Sequence, residues 1–164
     1  MGARRSGREA ALQMLFQLEA SATSAPMTIE LFWRSFEDAD PEGRPYADTI
    51  LRGVADALAA VDARIAKASA NWRLERMSRV DRNLLRLGTW ELMMQKDIPR
   101  AVVIDEAVEL AKSYGTDDSS GFVNGVLDRI ANDLGRADAN DAPPPESRKG
   151  AAPRTVPPPS RRRG

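Results

Sequence analysis

The chain has 164 residues, with 24 basic and 24 acidic side chains and a 42% hydrophobic share, enough to build one domain around a real core. It holds no histidine and no cysteine. That removes Ser-His-Asp triads, cysteine nucleophiles, Cys/His zinc sites and disulfides. No apolar run approaches the ~20 residues of a membrane span, and no apolar signal-peptide core follows the basic start, so a cytoplasmic protein is expected.

In chain order, Ser6-Gly7-Arg8-Glu9 reads as a capping box, with Ser6 at the N-cap and residues 1–8 as a basic arm ahead of the first helix. Ala11, Leu15 and Leu18, with Leu12 and Phe16, form that helix's apolar stripe. Ser21 to Met27 reads as a loop containing Pro26. Ile29, Phe32, Trp33 and Phe36 mark a short second helix. A turn from Asp38 to Gly43 leads to Pro45, which suits the first turn of a third helix striped by Tyr46, Ile50, Val54 and Leu58. Val61, Ile65 and Trp72 suggest a short fourth.

Ser78-Arg-Val-Asp81 is an N-cap signature. The helix it opens is apolar nearly all round: Val80, Leu84, Leu87 and Met94 share one face, with Leu85, Leu92, Trp90 and Met93 on others. Such a helix is expected at the centre. Glu91, among these positions, is expected to be a buried carboxylate satisfied by an arginine or backbone donors; a catalytic acid is the other reading. Pro99 breaks this helix. The next runs from about Arg100 to Ser113, burying Ile104, Ala107, Val108 and Ala111, with Asp105, Glu109 and Lys112 outward. Gly115 can end it in the left-handed conformation. Thr116 to Ser120 caps a last helix, whose apolar arc is Val123, Val126, Leu127, Ile130 and Leu134. Gly121 and Gly125 would permit close approach of a helix or an RNA backbone. No segment alternates with period two, so no sheet is expected.

From Arg136 onward the chain is rich in proline and arginine and is expected to be disordered. Residues 136–164 carry seven basic and three acidic side chains, against seventeen and twenty-one in residues 1–135. An acidic body with basic ends can bind polyanions only locally. The tail is either a polycation that adds salt-sensitive RNA affinity or a solubilising extension.

Arg4, Arg5 and Arg8 could pair with phosphate or stack on bases. Phe122 is either a flanking core residue or a platform for a base, and Asn124 offers amide groups nearby. Asp105 and Glu109 read as an exposed acidic face, and Asp117 and Asp118 as carboxylates favoured at a helix N-terminus, so no metal site is expected. Phosphate loops are not evident either.

Four ordered blocks resemble the NusB family. The stretch from Ala3 to Leu18 resembles its arginine-rich start and first helix. Val80-Asp-Arg-Asn-Leu-Leu-Arg-Leu-Gly-Thr-Trp-Glu-Leu92 resembles its central helix. Ile98 to Gly115 and Phe122-Val-Asn-Gly-Val-Leu-Asp128 are similar to its later signatures. The resemblance covers residues 3–134. It implies an all-α domain of about seven helices in two small bundles, spanning 9–135 between the arm and the tail. It also implies no enzymatic activity and no cofactor.

As the resemblance implies, the partners would be boxA RNA of ribosomal RNA leaders and NusE, the tenth small-subunit ribosomal protein. Together they would act in the RNA polymerase antitermination complex. It places Arg4, Arg5, Arg8, Lys112, Asp118, Phe122 and Asn124 on the RNA face, and Phe16 and Asp81, with nearby Leu85, on the surface that meets NusE. A homodimer is a further expectation. Here Gly121 stands where the family often has a basic residue, and Ser6-Gly7 interrupts the arm. Both lower the positive charge of the RNA face and imply dependence on the partner. The alternatives are a protein–protein adaptor without RNA contact, and the RNA-binding domain of an RNA-modifying enzyme.

Overall fold

The computed structural model describes residues 2–70 and 72–136. The proline- and arginine-rich stretch from 137 on, read above as a disordered tail, lies outside the described residues. Among them are seven α-helices and no strand: α1 (Ala3–Ser21), α2 (Ala25–Ser35), α3 (Arg44–Asp56), α4 (Leu58–Ala68), α5 (Arg79–Met94), α6 (Arg100–Tyr114) and α7 (Ser119–Asp133). Helices α1, α2 and α3 pack together as one bundle, and α4, α6 and α7 gather with α5 as a second. Helix α5 also packs on α1 and α3, so it is the seam between the bundles.

The central position of α5 follows from its sequence. From Asn83 to Leu92 every residue but Arg86 is buried. Ser78 starts the helix as expected, its Oγ accepting from the Asp81 N–H at 3.1 Å. Met94, the last residue of the helix, departs from the expected stripe and is exposed.

Helix α1 begins before the expected capping box. Gly2 is its N-cap, without a side-chain cap bond, and Ser6 lies inside the helix with its Oγ donating to Asp40 Oδ2 at 2.9 Å. Residues 3–8 are therefore helical and not a free arm. Tertiary packing explains the difference. A Cβ on Gly7 would lie 2.9 Å from the Gly43 carbonyl oxygen, so α1 and the 3-10 turn Pro41–Gly43 meet at two glycines. The Ser6-Gly7 interruption is thus a helix crossing.

Three other boundaries moved. Helix α2 starts at Ala25, with Pro26 in its first turn and Ser24 capping the Met27 N–H, so the expected loop to Met27 is shorter. Leu58 opens α4 and does not close the α3 stripe, and Trp72 lies beyond α4 in the loop before α5. Gly115 is extended (φ −101°, ψ −163°) and not left-handed. A Cβ there would lie 2.4 Å from Ser119 Oγ, so the position uses the small size of glycine. That hydroxyl accepts the Thr116 N–H at 3.0 Å.

Val123, Val126, Leu127 and Ile130 of α7 are buried as expected. Arg136, assigned above to the tail, is bound into the fold: its guanidinium donates to the carbonyls of Leu92 (2.7 Å) and Ile98. It ties the segment after α7 to the end of α5 and the turn that follows it.

Candidate nucleic-acid interface

The three arginines at the start of α1 have different fates. Arg8 is buried, and its Nε donates to both oxygens of Glu91 at 3.0 and 2.9 Å. The Tyr46 hydroxyl also donates to Glu91. Burial, then the charge of Glu91, pushes the Tyr46 phenol well above its ordinary range. This meets the expectation that Glu91 is a buried carboxylate satisfied by an arginine. It also removes the Arg8 side chain from water, so Arg8 is not among the exposed residues of the face expected to meet RNA.

Arg5 is more than half exposed but is held in a two-pronged bond to Glu106: Nε to Oε1 at 3.0 Å and Nη2 to Oε2 at 2.7 Å. The bond from Arg5 holds the Glu106 carboxyl below its ordinary range. Arg4 lies over the Tyr46 ring at 5.3 Å and 3.7 Å from Asp97, a loose exposed pair. An open cleft of about 260 Å³ lies here, lined by Arg5, Glu9, Glu106, Glu109, Leu110 and Ser113. The α1 start is thus rich in arginine yet locally compensated.

The other residues assigned to the RNA face lie on α6 and α7. Lys112 is exposed, with its Nζ 3.3 Å from Glu109 on the same helix. Asp118 is the exposed N-cap of α7, where a carboxylate suits the helix dipole. Phe122 is half-buried and packs against the core, so it is both a flanking core residue and a partly open aromatic face. Asn124 is exposed. A Cβ on Gly121 or Gly125 would meet nothing within 4 Å, so these glycines border open space and no described helix packs on them. The end of α6 is tied to α1 by the Tyr114 hydroxyl, which donates to Glu9 at 2.7 Å and accepts from Gln13 at 3.0 Å.

Phe16 and Asp81 are half-buried on α1 and α5. Asp81 Oδ1 is buried without a hydrogen-bond partner among the described residues. Leu85 is fully buried and cannot itself lie on the surface assigned to it; it packs beneath. One turn along, Glu19 gathers Arg82 (2.6 Å), Asn83 (3.1 Å) and Arg79 (3.6 Å), joining the end of α1 to the start of α5. Burial opposes the ionised form of Glu19, but the bonds from Arg82 and Asn83 win and its carboxyl stays below the ordinary range.

Two participants escaped the sequence reading. Glu106 lies between the buried and outward faces of α6, and nothing local to it announces a partner 101 residues away. Tyr46 was read as core, and its hydroxyl contact with Glu91 is equally non-local.

Over residues 5–132 the chain matches the model of the NusB family. It is 66% identical over 138 residues, 84% of this chain and 98% of that protein, to the transcription antitermination protein NusB of Sorangium cellulosum (strain So ce56). A solved structure of T. maritima NusB shares 42% identity at a TM-score of 0.70, covering 79% of this chain and 90% of that one. A crystal structure of antitermination factors NusB and NusE in complex with dsRNA is similar at 25% identity and a TM-score of 0.73, over 81% of this chain and 98% of that one.

Proposed function

The chain belongs to the NusB family, and from that premise we propose that it is a transcription antitermination factor. It binds boxA-type RNA of ribosomal RNA leaders together with NusE and supports readthrough by RNA polymerase. The observation that carries this reading is the near-complete match to NusB proteins, one similar structure being a complex of NusB and NusE with RNA. The protein works by binding and performs no chemistry. Among the described residues no helix is long and apolar enough to cross a membrane. A cytoplasmic site of action goes with work on nascent transcripts.

Arg4, Arg5, Lys112, Asp118, Phe122 and Asn124 form the RNA face, with Arg8 fixing the helix that carries the arginines. Phe16 and Asp81 meet NusE, with Leu85 supporting them from below. The unpartnered Asp81 Oδ1 supports this, because a buried acceptor gains most from a donor brought by a partner. Local compensation of Arg5 by Glu106 supports dependence on NusE: alone, this face offers little net positive charge.

Fluorescence anisotropy of labelled boxA RNA and of a scrambled RNA, each with and without NusE, tests the reading. Binding selective for boxA, tightened by NusE and weakened by salt, is expected. Equal binding of the two RNAs would overturn it. The ion pairs at the start of α1 favour one second reading, an adaptor without RNA contact; in that case Arg4→Ala with Arg5→Ala would leave RNA crosslinking unchanged.

A further inference from the structure

The molecule has a second basic surface, at the end away from the α1 arginines. The two ends are fixed by α1 and α5 running antiparallel: Arg8 meets Glu91 at one end, and Glu19 meets Arg79 and Arg82 at the other. From Arg5 to Glu19 the helix rises about 20 Å. At the far end the chain places Arg64, Lys67, Arg73, Arg76 and Arg79 against one carboxylate, Glu75, within the stretch 64–79. Among the described residues Arg64, Lys67 and Arg76 have no ion-pair partner. Arg73 has only an exposed contact with Glu75 at 3.4 Å.

Trp72 stands in this stretch and is 50% exposed. Its ring has no aromatic or cation partner, and its indole N–H no acceptor, among the described residues. The loop that carries it is nevertheless pinned. The Trp72 backbone N–H donates to the Ser69 carbonyl at 2.8 Å, and Ser69 Oγ donates to the Trp72 carbonyl at 2.9 Å. Arg82 binds the carbonyls of Leu74 and Met77, fixing the turn that follows. Beside the loop is an open cavity of about 570 Å³ between the ends of α4 and α7. Lys67 and Arg129 line it, with Asp133 as its carboxylate. Arg129 donates to the Ala68 carbonyl at 2.9 Å and closes the end of α4.

An exposed aromatic beside a cleft, on a stretch whose Lys67 and Arg76 have no ion-pair partner among the described residues, suits a base that stacks and a backbone that needs neutralising. We propose that Trp72, Arg73, Arg76 and Lys67 form a second contact for single-stranded RNA, holding a segment that flanks the element bound at the α1 end. This rests on the RNA-binding reading above and extends it to a different surface. A duplex would not serve, because its bases present no free face to the indole.

The test uses the full chain with NusE and two RNAs, boxA alone and boxA carrying a single-stranded oligouridine extension. The wild type is expected to bind the extended RNA more tightly. Trp72→Ala, and separately Arg73→Ala with Arg76→Ala, should remove that gain, about tenfold for a stacked base, and leave boxA alone unaffected. Trp72→Phe, which keeps a stacking ring, should retain most of it. If boxA binds selectively but the extension adds nothing, or if Trp72→Ala weakens boxA alone equally, this inference is overturned and the family reading stands. Protection of Trp72 from quencher by NusE without RNA would also overturn it, in favour of a protein contact. Absence of any boxA-selective binding would overturn both.

Discussion

The two ends of α1 differ in how the basic residues near them are held. At its start, Arg8 is sealed in the core with Glu91, and Arg5 is clasped by Glu106. Toward its far end Glu19 still holds Arg79 and Arg82, but Arg76 and Lys67, which flank the exposed Trp72 in sequence, have no ion-pair partner among the described residues. Counted along the sequence, the first end offers three arginines, Arg4, Arg5 and Arg8, to RNA. The structure shows that the count and the available charge differ, because a guanidinium held by carboxylates must exchange partners before it neutralises a phosphate. The first end is poised for a partner-assisted complex. The second keeps two cations, Lys67 and Arg76, without a carboxylate partner among the described residues.

The largest expected effect breaks the first end from inside. Glu91→Ala would leave the Arg8 guanidinium buried without its main counter-charge. Removing one member of such a pair costs about 3–5 kcal/mol. Urea unfolding measures it; a loss below about 1 kcal/mol would mean that Arg8 is not the structural residue described here. Phe122→Ala comes next. As a half-buried platform, it should weaken boxA binding by about 1–3 kcal/mol, the range of a stacked base. An unchanged dissociation constant with NusE present would return Phe122 to a purely packing role.

Glu106→Gln loosens the clasp on Arg5. It frees Arg5, so boxA affinity should rise a few-fold and the slope of log affinity against log salt should steepen by about one. Affinity that falls instead would mean that Glu106 orients Arg5 productively.

The smallest effect is in acid. Glu106 and Glu19 have folded-state carboxyls below the ordinary 4.5. Their contribution to stability is therefore fully present above that pH and is lost as pH falls through the lowered values. Urea unfolding from pH 7 to pH 3 should show a plateau and then a decline below about 4.5, shallower in Glu106→Gln. The same decline in that variant would assign it to other carboxylates.

Much of the fold was legible because it is written in local pattern. The α5 stripe and its Ser78 cap, Pro45 opening α3 and the α7 arc are set by residues within a few turns of one another. The start of α1 was not. Ser6 to Glu9 satisfies the capping pattern, but the chain turns into helix earlier because Ser6 bonds Asp40 and Gly7 meets Gly43, contacts more than 30 residues away. The site divides likewise. Residue types at Arg4, Arg5, Lys112 and Asn124 could be read as exposed and polar, whereas the burial of Arg8 and Leu85 depends on what packs over them. Glu91 is the intermediate case: its position on an apolar helix called for a buried donor, and only the tertiary structure supplies Arg8 as that donor.

Photocrosslinking of extended boxA RNA to the chain with NusE, followed by mass spectrometry of the linked peptides, tests the two-ended account most directly. Crosslinks are expected at residues 2–8 and 119–125 with boxA alone, and additional ones at 69–79 only when the single-stranded extension is present. Crosslinks confined to α2 and α3, or none to the chain while NusE alone is labelled, would contradict it.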